Sequence, residues 1–337
     1  MKKQTVGKTN VEISVLSMGA WAIGGGAAWS NTDDNESIHT IHAALDAGVT
    51  LIDTAPAYSF GYSEEIVGKA LLGRRDKVIL SSKCGLQWYE PAGSKHVGRI
   101  NHSASGGTQM YRNLSPQSIR RDLEHSLKRL QTEYIDIYYT HWQSSDLFYI
   151  PIEETLGELL KMKQEGKIRA VGASNVCVNH LKEYLRYGGV DIIQEKYSLV
   201  DRRIEQELLP FCEQNSITLQ TFSPIEQGLL AGKATMDFQI PKGDVREGNI
   251  WWAPDNRALV INMLAGWNSL TSKYNCSLSN LALYWLMSRS RNINVLFGAR
   301  KASQVADNVH AASILVDKAD LDRMTRDVDA VIANAKR

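Results

Sequence analysis

Eight short apolar runs alternate with longer amphipathic segments along this chain of 337 residues. Each run has few polar interruptions, which is typical of a strand whose two faces are both buried. The runs are Val15–Met18, Val49–Ile52, Val78–Ser82, Tyr134–Thr140, Ile168–Gly172, Ile192–Gln194, Thr218–Phe222 and Val295–Phe297. The helical patterns are Asn35–Ala47, Glu64–Leu72, Pro116–Leu130, Ile152–Gln164, Val178–Tyr187, Ile204–Gln214, a longer stretch interpreted as two helices within Arg257–Met287, Ser303–Ala311 and Lys318–Lys336. This alternation predicts an α/β fold, a closed (β/α)8 TIM barrel of parallel strands.

The length alone would permit two domains at the usual ~150 residues each. No linker rich in Pro, Gly or Ser interrupts the alternation, so we predict a single barrel domain over residues 1–337. Gln4–Val6 and Glu12–Ser14 flank a turn-rich tetrapeptide and predict a β-hairpin that caps the N-terminal end of the barrel. Gly85–Leu114 and Gly228–Asn256 predict long loops after strands 3 and 7, at the end where barrel enzymes place their sites.

The composition argues against several classes of partner. Lys and Arg total 38 against 37 Asp and Glu, a formal charge of +1, so no global field favours nucleic acid or a membrane surface. No stretch approaches the ~18 apolar residues that a transmembrane helix needs, and we expect a cytoplasmic protein. The four cysteines are far apart and form no Cys-x-x-Cys motif, which predicts neither a disulfide framework nor a metal site.

Four residues with complementary proton chemistry lie at or just after consecutive predicted strands. Asp53 and Tyr58 follow the second strand, Lys83 follows the third and His141 follows the fourth. Parallel barrel strands bring these positions to one rim. A tyrosine is a poor acid near neutral pH, but an adjacent ammonium lowers its pKa and an aspartate holds that ammonium in place. Each residue alone could have a purely structural role, whereas the four together predict a proton-transfer site.

Several motifs carry a family resemblance. Asp53-Thr54-Ala55-Pro56-Ala57-Tyr58, Ser82-Lys83-Cys84-Gly85, Tyr139-Thr140-His141-Trp142 and Gly172-Ala173-Ser174-Asn175 closely resemble the aldo-keto reductases. The likeness continues through Gln194, Pro224 and Gly298-Ala299-Arg300 and is nearest to the bacterial branch that includes methylglyoxal reductase. It implies a barrel enzyme that reduces aldehydes or ketones with NAD(P)H.

The resemblance implies a role for each of the four residues. Tyr58 would protonate the carbonyl oxygen, Lys83 would lower the pKa of Tyr58, Asp53 would anchor Lys83, and His141 would orient the carbonyl. Cofactor contacts are implied at Trp21, Ser174, Asn175, Gln194, Phe222, Ser223, Pro224, Gly228, Leu230, Gly298, Arg300, Gln304 and Asn308. Phe222 would stack on the nicotinamide ring.

The segment after the eighth strand suggests where a dinucleotide phosphate binds. Gly298 to Asn308 presents backbone N–H groups and a helix N-terminus, together with the cations Arg300 and Lys301. Either cation could pair with a 2′-phosphate, so we expect NADPH to be preferred, with NADH possible. Gly24-Gly25-Gly26 is interpreted as a loop beside the site rather than a phosphate-binding motif.

Aromatic residues offer the clue to the substrate. The expected pocket comprises Trp21, Tyr58, Trp88, His141, Trp142, Trp251 and Trp252. Such a pocket suits methylglyoxal and other small aldehydes, aromatic aldehydes or sugar carbonyls. We expect no partner beyond such a small molecule, and a monomer or weak homo-oligomer.

Two alternatives stay open. Lys83 at a strand end could form a Schiff base, as in a barrel aldolase. The chain could also be a non-catalytic subunit that senses a nicotinamide cofactor.

Overall fold

The computed structural model describes residues 1–25, 32–96 and 108–336. Gly26 of the expected glycine loop and residues 97–107 of the long loop after strand 3 lie outside this described part. At the start of the chain, β1 (Lys3–Thr5) and β2 (Glu12–Ser14) form the predicted antiparallel hairpin.

Eight further strands close a parallel barrel. In chain order the remaining strands are β3 (Leu16–Gly19), β4 (Leu51–Asp53), β5 (Ile79–Cys84), β6 (Leu86–Gln87), β7 (Ser94–Lys95), β8 (Tyr111–Arg112), β9 (Ile135–Thr140), β10 (Ile168–Ser174), β11 (Ile192–Lys196), β12 (Thr218–Phe222) and β13 (Ile293–Gly298). All of these except β6, β7 and β8 belong to the barrel, in which β13 returns to pair with β3. The predicted (β/α)8 barrel and its hairpin are therefore confirmed.

The helices surround the barrel. They are α1 (Asp34–Asp46), α2 (Tyr62–Leu71), α3 (Pro116–Leu130), α4 (Ile152–Gln164), α5 (Val178–Tyr187), α6 (Leu208–Asn215), α7 (Pro254–Ala265), α8 (Asn268–Lys273), α9 (Leu278–Arg289), α10 (Ala302–His310) and α11 (Lys318–Asn334). The expectation of two helices within Arg257–Met287 was wrong, since the region divides among three. The first break falls at Gly266, and the second helix ends at Lys273, two residues before Asn275, which adopts the left-handed region at φ +46°.

The hairpin closes the N-terminal end of the barrel, as expected. Val6, Val11 and Ile13 pack against barrel residues such as Leu51 and Ile137. The hairpin turn lies so close to the barrel that a Cβ at Gly7 would be 2.4 Å from the carbonyl oxygen of Asp191. The opposite, C-terminal end is thus the open mouth.

The long segment after β5 is partly ordered as a small sheet. β8 pairs antiparallel with both β6 and β7, and these strands lie beside the barrel mouth because β6 follows β5 after one residue. None of the described helices combines the length and apolar character needed to cross a membrane.

Candidate active site

The four predicted proton-transfer residues meet at the C-terminal mouth of the barrel. Asp53 ends β4, Lys83 lies at the penultimate position of β5 and His141 directly follows β9. Tyr58 starts a short turn after β4. The sequence placed these residues at strand ends, and closure of the parallel barrel brings them together.

Lys83 is the centre of the cluster and is fully buried. Its Nζ donates to Asp53 Oδ2 at 2.7 Å, to the carbonyl oxygen of Thr54 at 2.9 Å and to Tyr58 Oη at 3.1 Å. An ammonium has three N–H bonds, so each of them has a partner. Asp53 Oδ1 in turn accepts from Ser81 and Gln194, which fixes the carboxylate.

The charges in this cluster are settled by burial and by the Lys83–Asp53 ion pair. Burial alone would lower the pKa of Lys83, but the neighbouring Asp53 and Tyr58 raise it above its usual value. Burial raises the pKa of Tyr58 above its usual value, and Lys83 only partly opposes that effect. Lys83 lowers the pKa of Tyr58, as expected, but desolvation of the phenolate is the larger effect, so the Tyr58 pKa stays above its usual value.

His141 completes the cluster as a neutral ring. Its ring meets that of Tyr58 edge to face, with centroids 5.9 Å apart. Burial lowers the pKa of His141 well below its usual value, and the nearby charge of Lys83 lowers it further. At neutral pH the cluster thus offers a protonated phenol and a neutral imidazole.

A cavity of about 1580 Å³ opens from this cluster. Most of the residues expected to bind the cofactor line it: Trp21, Ser174, Asn175, Gln194, Phe222, Ser223, Pro224, Gly228, Gly298, Arg300 and Gln304. From the expected substrate pocket, the residues Trp21, Tyr58, His141 and Trp142 also line it. The cavity therefore joins the predicted proton-transfer residues to the strand ends on the other side of the barrel.

Polar side chains at the ends of β10 and β11 hold one wall of the cavity. Ser174 Oγ donates to the carbonyl oxygen of Gln194 at 2.8 Å. Asn175 adopts φ +57° and its Nδ2 donates to the carbonyl oxygen of His141 at 2.8 Å. This left-handed turn connects the wall directly to His141.

The turn between β13 and α10 forms another part of the wall. The Arg300 backbone N–H donates to Gln304 Oε1 at 2.7 Å, and α10 begins at Ala302. Within the described residues the guanidinium of Arg300 has no ion-pair partner. The cavity thus has an available cation beside a helix N-terminus.

The comparisons with known proteins agree with this geometry. The model of the Aldo/keto reductase family matches residues 15–328. The chain belongs to the aldo/keto reductase family. Membership makes it an NAD(P)H-dependent oxidoreductase that acts on small carbonyl compounds.

Individual relatives of this aldo/keto reductase are similar over nearly their whole length. It is 46% identical over 333 residues to the NADH-specific methylglyoxal reductase of Escherichia coli (strain K12), covering 98% of this chain and 99% of that protein. The solved structure of the glycerol dehydrogenase AKR11B4 from Gluconobacter oxydans has a TM-score of 0.84 at 32% identity, covering 99% and 95% of the two chains. An aldo-keto reductase from Klebsiella pneumoniae in complex with NADPH has a TM-score of 0.70 at 28% identity, covering 97% and 95%.

Three tryptophans expected in the substrate pocket of this aldo/keto reductase lie elsewhere. Trp251 and Trp252 are buried in the core, and Trp252 Nε1 donates to the carbonyl oxygen of Glu226. Trp88 packs edge to face on Phe60 outside the cavity. The sequence located their loops but did not show where the loops would place these rings.

Two residues expected to bind the cofactor are also outside the cavity lining. Leu230 is fully buried in the core. Asn308 is buried as well, and its Nδ2 donates to the carbonyl oxygen of Gly298 at 3.2 Å. Asn308 therefore stabilises the turn between β13 and α10.

Two other residues of the site were not predicted from the sequence. His96 is buried and lines the cavity, where its Nδ1 accepts from Arg112 Nε at 2.9 Å. Because that nitrogen accepts, the ring proton is on Nε2. Gln220 is fully buried inside the barrel, next to Gln194. A glutamine within the apolar run Thr218–Phe222 was the only sequence signal for Gln220, and His96 had none.

Proposed function

We propose that this enzyme reduces small aldehydes and ketones to alcohols, with Tyr58 as the proton donor. The observation that carries the proposal is that Lys83 Nζ, which is ion-paired with Asp53, also donates a hydrogen bond to Tyr58 Oη. Reduced nicotinamide, when bound, supplies the hydride to the carbonyl carbon. As negative charge develops on the carbonyl oxygen, the phenol of Tyr58 gives up its proton and Lys83 stabilises the phenolate that remains.

His141 supports the same step. Its neutral ring lies against the edge of Tyr58, so it offers a hydrogen bond to the carbonyl oxygen without competing as an acid. Two hydrogen bonds hold the backbone of His141 in place. Its N–H donates to the carbonyl oxygen of Cys84, and its own carbonyl oxygen accepts from Asn175 Nδ2. The carbonyl would thus be oriented before the proton moves.

The cavity residues fit a dinucleotide. Ser174, Asn175 and Gln194 offer amide and hydroxyl groups suited to the carboxamide, and Phe222 offers a flat ring. Gly298 and Gln304, at the N-terminus of α10, would bind the adenosine end.

We propose that Arg300 and Lys301 favour NADPH by pairing with its 2′-phosphate. The guanidinium of Arg300 lines the cavity and has no ion-pair partner among the described residues, which supports this preference. The Escherichia coli relative is named as NADH-specific, so NADH is included in every assay. An Arg300→Ala variant should weaken NADPH binding and leave NADH binding unchanged. Equal losses for the two cofactors would contradict the assignment.

Substrate choice is proposed to depend on Trp21, Trp142 and His96, which wall the cavity near Tyr58. Methylglyoxal is the first substrate to test because of the Escherichia coli relative. Aromatic aldehydes and sugars complete the panel.

The deciding test compares Tyr58→Phe with wild type. We expect kcat to fall by about 10²- to 10⁴-fold, the usual contribution of a general acid, while cofactor binding is unchanged. Tyr62→Phe is the matched control, because Tyr62 is exposed and its hydroxyl donates to Asp34. Full activity in Tyr58→Phe would disprove the proton-donor role. A wild-type protein that binds cofactor but turns over no carbonyl on the panel would instead be a cofactor-sensing subunit.

A further inference from the structure

A row of amide side chains crosses the interior of the barrel beneath the site. Gln194 on β11, Gln220 on β12 and Asn294 on β13 are directly paired in register. All three are buried, and Gln220 and Asn294 have no exposed surface. Barrel interiors are mostly filled with branched apolar residues, so three adjacent amides need an explanation.

The hydrogen bonds in this amide row have a fixed direction. Gln194 Nε2 donates both to Asp53 Oδ1 at 3.0 Å and to Gln220 Oε1 at 2.6 Å. Gln220 Nε2 donates to Asn294 Oδ1 at 2.7 Å, and Asn294 Nδ2 donates to the carbonyl oxygen of Ser14 at 2.7 Å. A carboxylate at one end and a backbone carbonyl at the other can only accept. No amide in the row can therefore flip without placing two acceptors against each other.

Gln220 is the residue that connects the two halves of the row. Its Oε1 accepts from Gln194 and also from the Tyr139 hydroxyl at 3.2 Å, while its Nε2 donates onward. With both hydrogens of the Gln194 amide committed, the Gln194 oxygen is the atom left to accept from a ligand in the cavity that Gln194 lines.

We propose that Gln220 is a positioning residue, which fixes the amide of Gln194 so that its oxygen receives the carboxamide N–H of the nicotinamide. Gln220 touches neither substrate nor cofactor and acts only through Gln194. The inference rests on the proposed function, because it assumes that the nicotinamide lies at Gln194.

The test is Gln220→Met, which keeps the length of the side chain but removes both hydrogen-bonding groups. We expect the Kd of the preferred reduced cofactor to rise about 10-fold, the value of one lost hydrogen bond. ADP-ribose, or its 2′-phosphate for an NADPH-preferring enzyme, lacks the nicotinamide and should bind as it does to wild type. Thr221→Val is the matched control, since the buried Thr221 hydroxyl has no hydrogen-bond partner in the described structure and its side chain points to the other face of β12.

A second variant, Gln220→Glu, covers the case in which Gln220→Met folds poorly. A protonated Glu side chain accepts from Gln194 and donates to Asn294, so cofactor affinity should match wild type at low pH. The ionised carboxylate still accepts from Gln194, so affinity should stay near the wild-type value as pH rises, and a loss as large as that expected for Gln220→Met would show that the acceptor at position 220 does not position Gln194.

The outcomes separate the two proposals. Unchanged cofactor affinity in Gln220→Met would overturn the positioning role, and equal weakening of cofactor and ADP-ribose would show a merely structural role. A wild-type protein that binds neither NADH nor NADPH would overturn the proposed function, and this inference with it.

Discussion

Glu195 directly follows Gln194 in β11, and its buried carboxyl group supports the turn after β10. Its Oε1 accepts from the backbone N–H of Val176. Burial raises the pKa of Glu195 to about 8, although the N–H groups of Val176 and Asn175 and the charge of Arg203 oppose the rise. At neutral pH the folded protein therefore holds a proton on this side chain that the unfolded chain releases.

Replacing this carboxyl group should change how stability depends on pH. The folded-state pKa is above the unfolded value, so the contribution of Glu195 is fully present below about pH 4.3 and is lost as pH rises through about 8. Glu195→Gln stays neutral, and its free energy of unfolding relative to wild type should increase between pH 5 and pH 9. Denaturant unfolding without cofactor measures this difference.

The control for that experiment is Glu153→Gln, in an exposed position of α4. It should follow the pH dependence of wild type. A constant difference between Glu195→Gln and wild type at every pH would mean that Glu195 is ionised throughout in the folded protein.

Individual residues of the site could be predicted from sequence where they sit in local motifs. Asp53, Lys83 and His141 lie at strand ends and Tyr58 lies in the turn after β4, and barrel geometry then brings them together. The position of Trp252 could not be predicted, because it depends on how the loop between β12 and α7 folds against Glu226.

At the scale of elements, the ring of Tyr139 on β9 lies against Gly172 on β10, in the space that a side chain would occupy. Gly172 is paired with Tyr139 across the two strands. A Cβ at Gly172 would lie 2.3 Å from a carbon of the Tyr139 ring, well inside van der Waals contact. The ring is also held from its other end, since its hydroxyl donates to Gln220.

This packing predicts opposite effects for two glycine substitutions. Gly172→Ala should lower the free energy of unfolding by about 1–3 kcal/mol through overpacking. Gly157→Ala, in the middle of α4 with open space around it, should raise the free energy of unfolding by about 0.5–1 kcal/mol. Denaturant unfolding of both variants measures the two values. Stability equal to wild type in Gly172→Ala would show that the Tyr139 ring moves aside at little cost.

The barrel strands were predictable because each is a continuous apolar run, and their ends differ from the predicted ends by only a few residues. The region after residue 253 was harder to predict. Its helices α7 and α9 lack a clear division into apolar and polar faces, so periodicity did not mark the break at Gly266. The small sheet of β6, β7 and β8 has strands of two residues, too short to give a pattern.

For the molecule as a whole, we propose that the chain folds as one domain. The barrel begins at β3 and closes only when β13, almost 280 residues later by sequence, pairs with it. No part of the barrel can be complete before both ends of the chain are in place. Unfolding should therefore be a single transition.

Cofactor binding should stabilise this single unit. A ligand at 100 times its Kd adds about 2.7 kcal/mol to the free energy of unfolding if it binds only the folded state. We expect NADPH to raise Tm more than NADH does at equal concentration. Tyr58→Phe should show the same rise as wild type, since the cofactor site is intact. A larger shift with NADH would reverse the proposed preference, and two separate transitions would argue against one domain.

The three hydrogen bonds of Lys83 should make its amine unreactive toward amine-directed reagents. Amine-directed reagents need an accessible, unprotonated nitrogen, and this nitrogen is sealed from solvent with every proton engaged. Acylating labels should modify surface lysines such as Lys318 and leave Lys83 untouched until the barrel opens. The rate of labelling at Lys83, measured by mass spectrometry, should therefore report the rate of global unfolding.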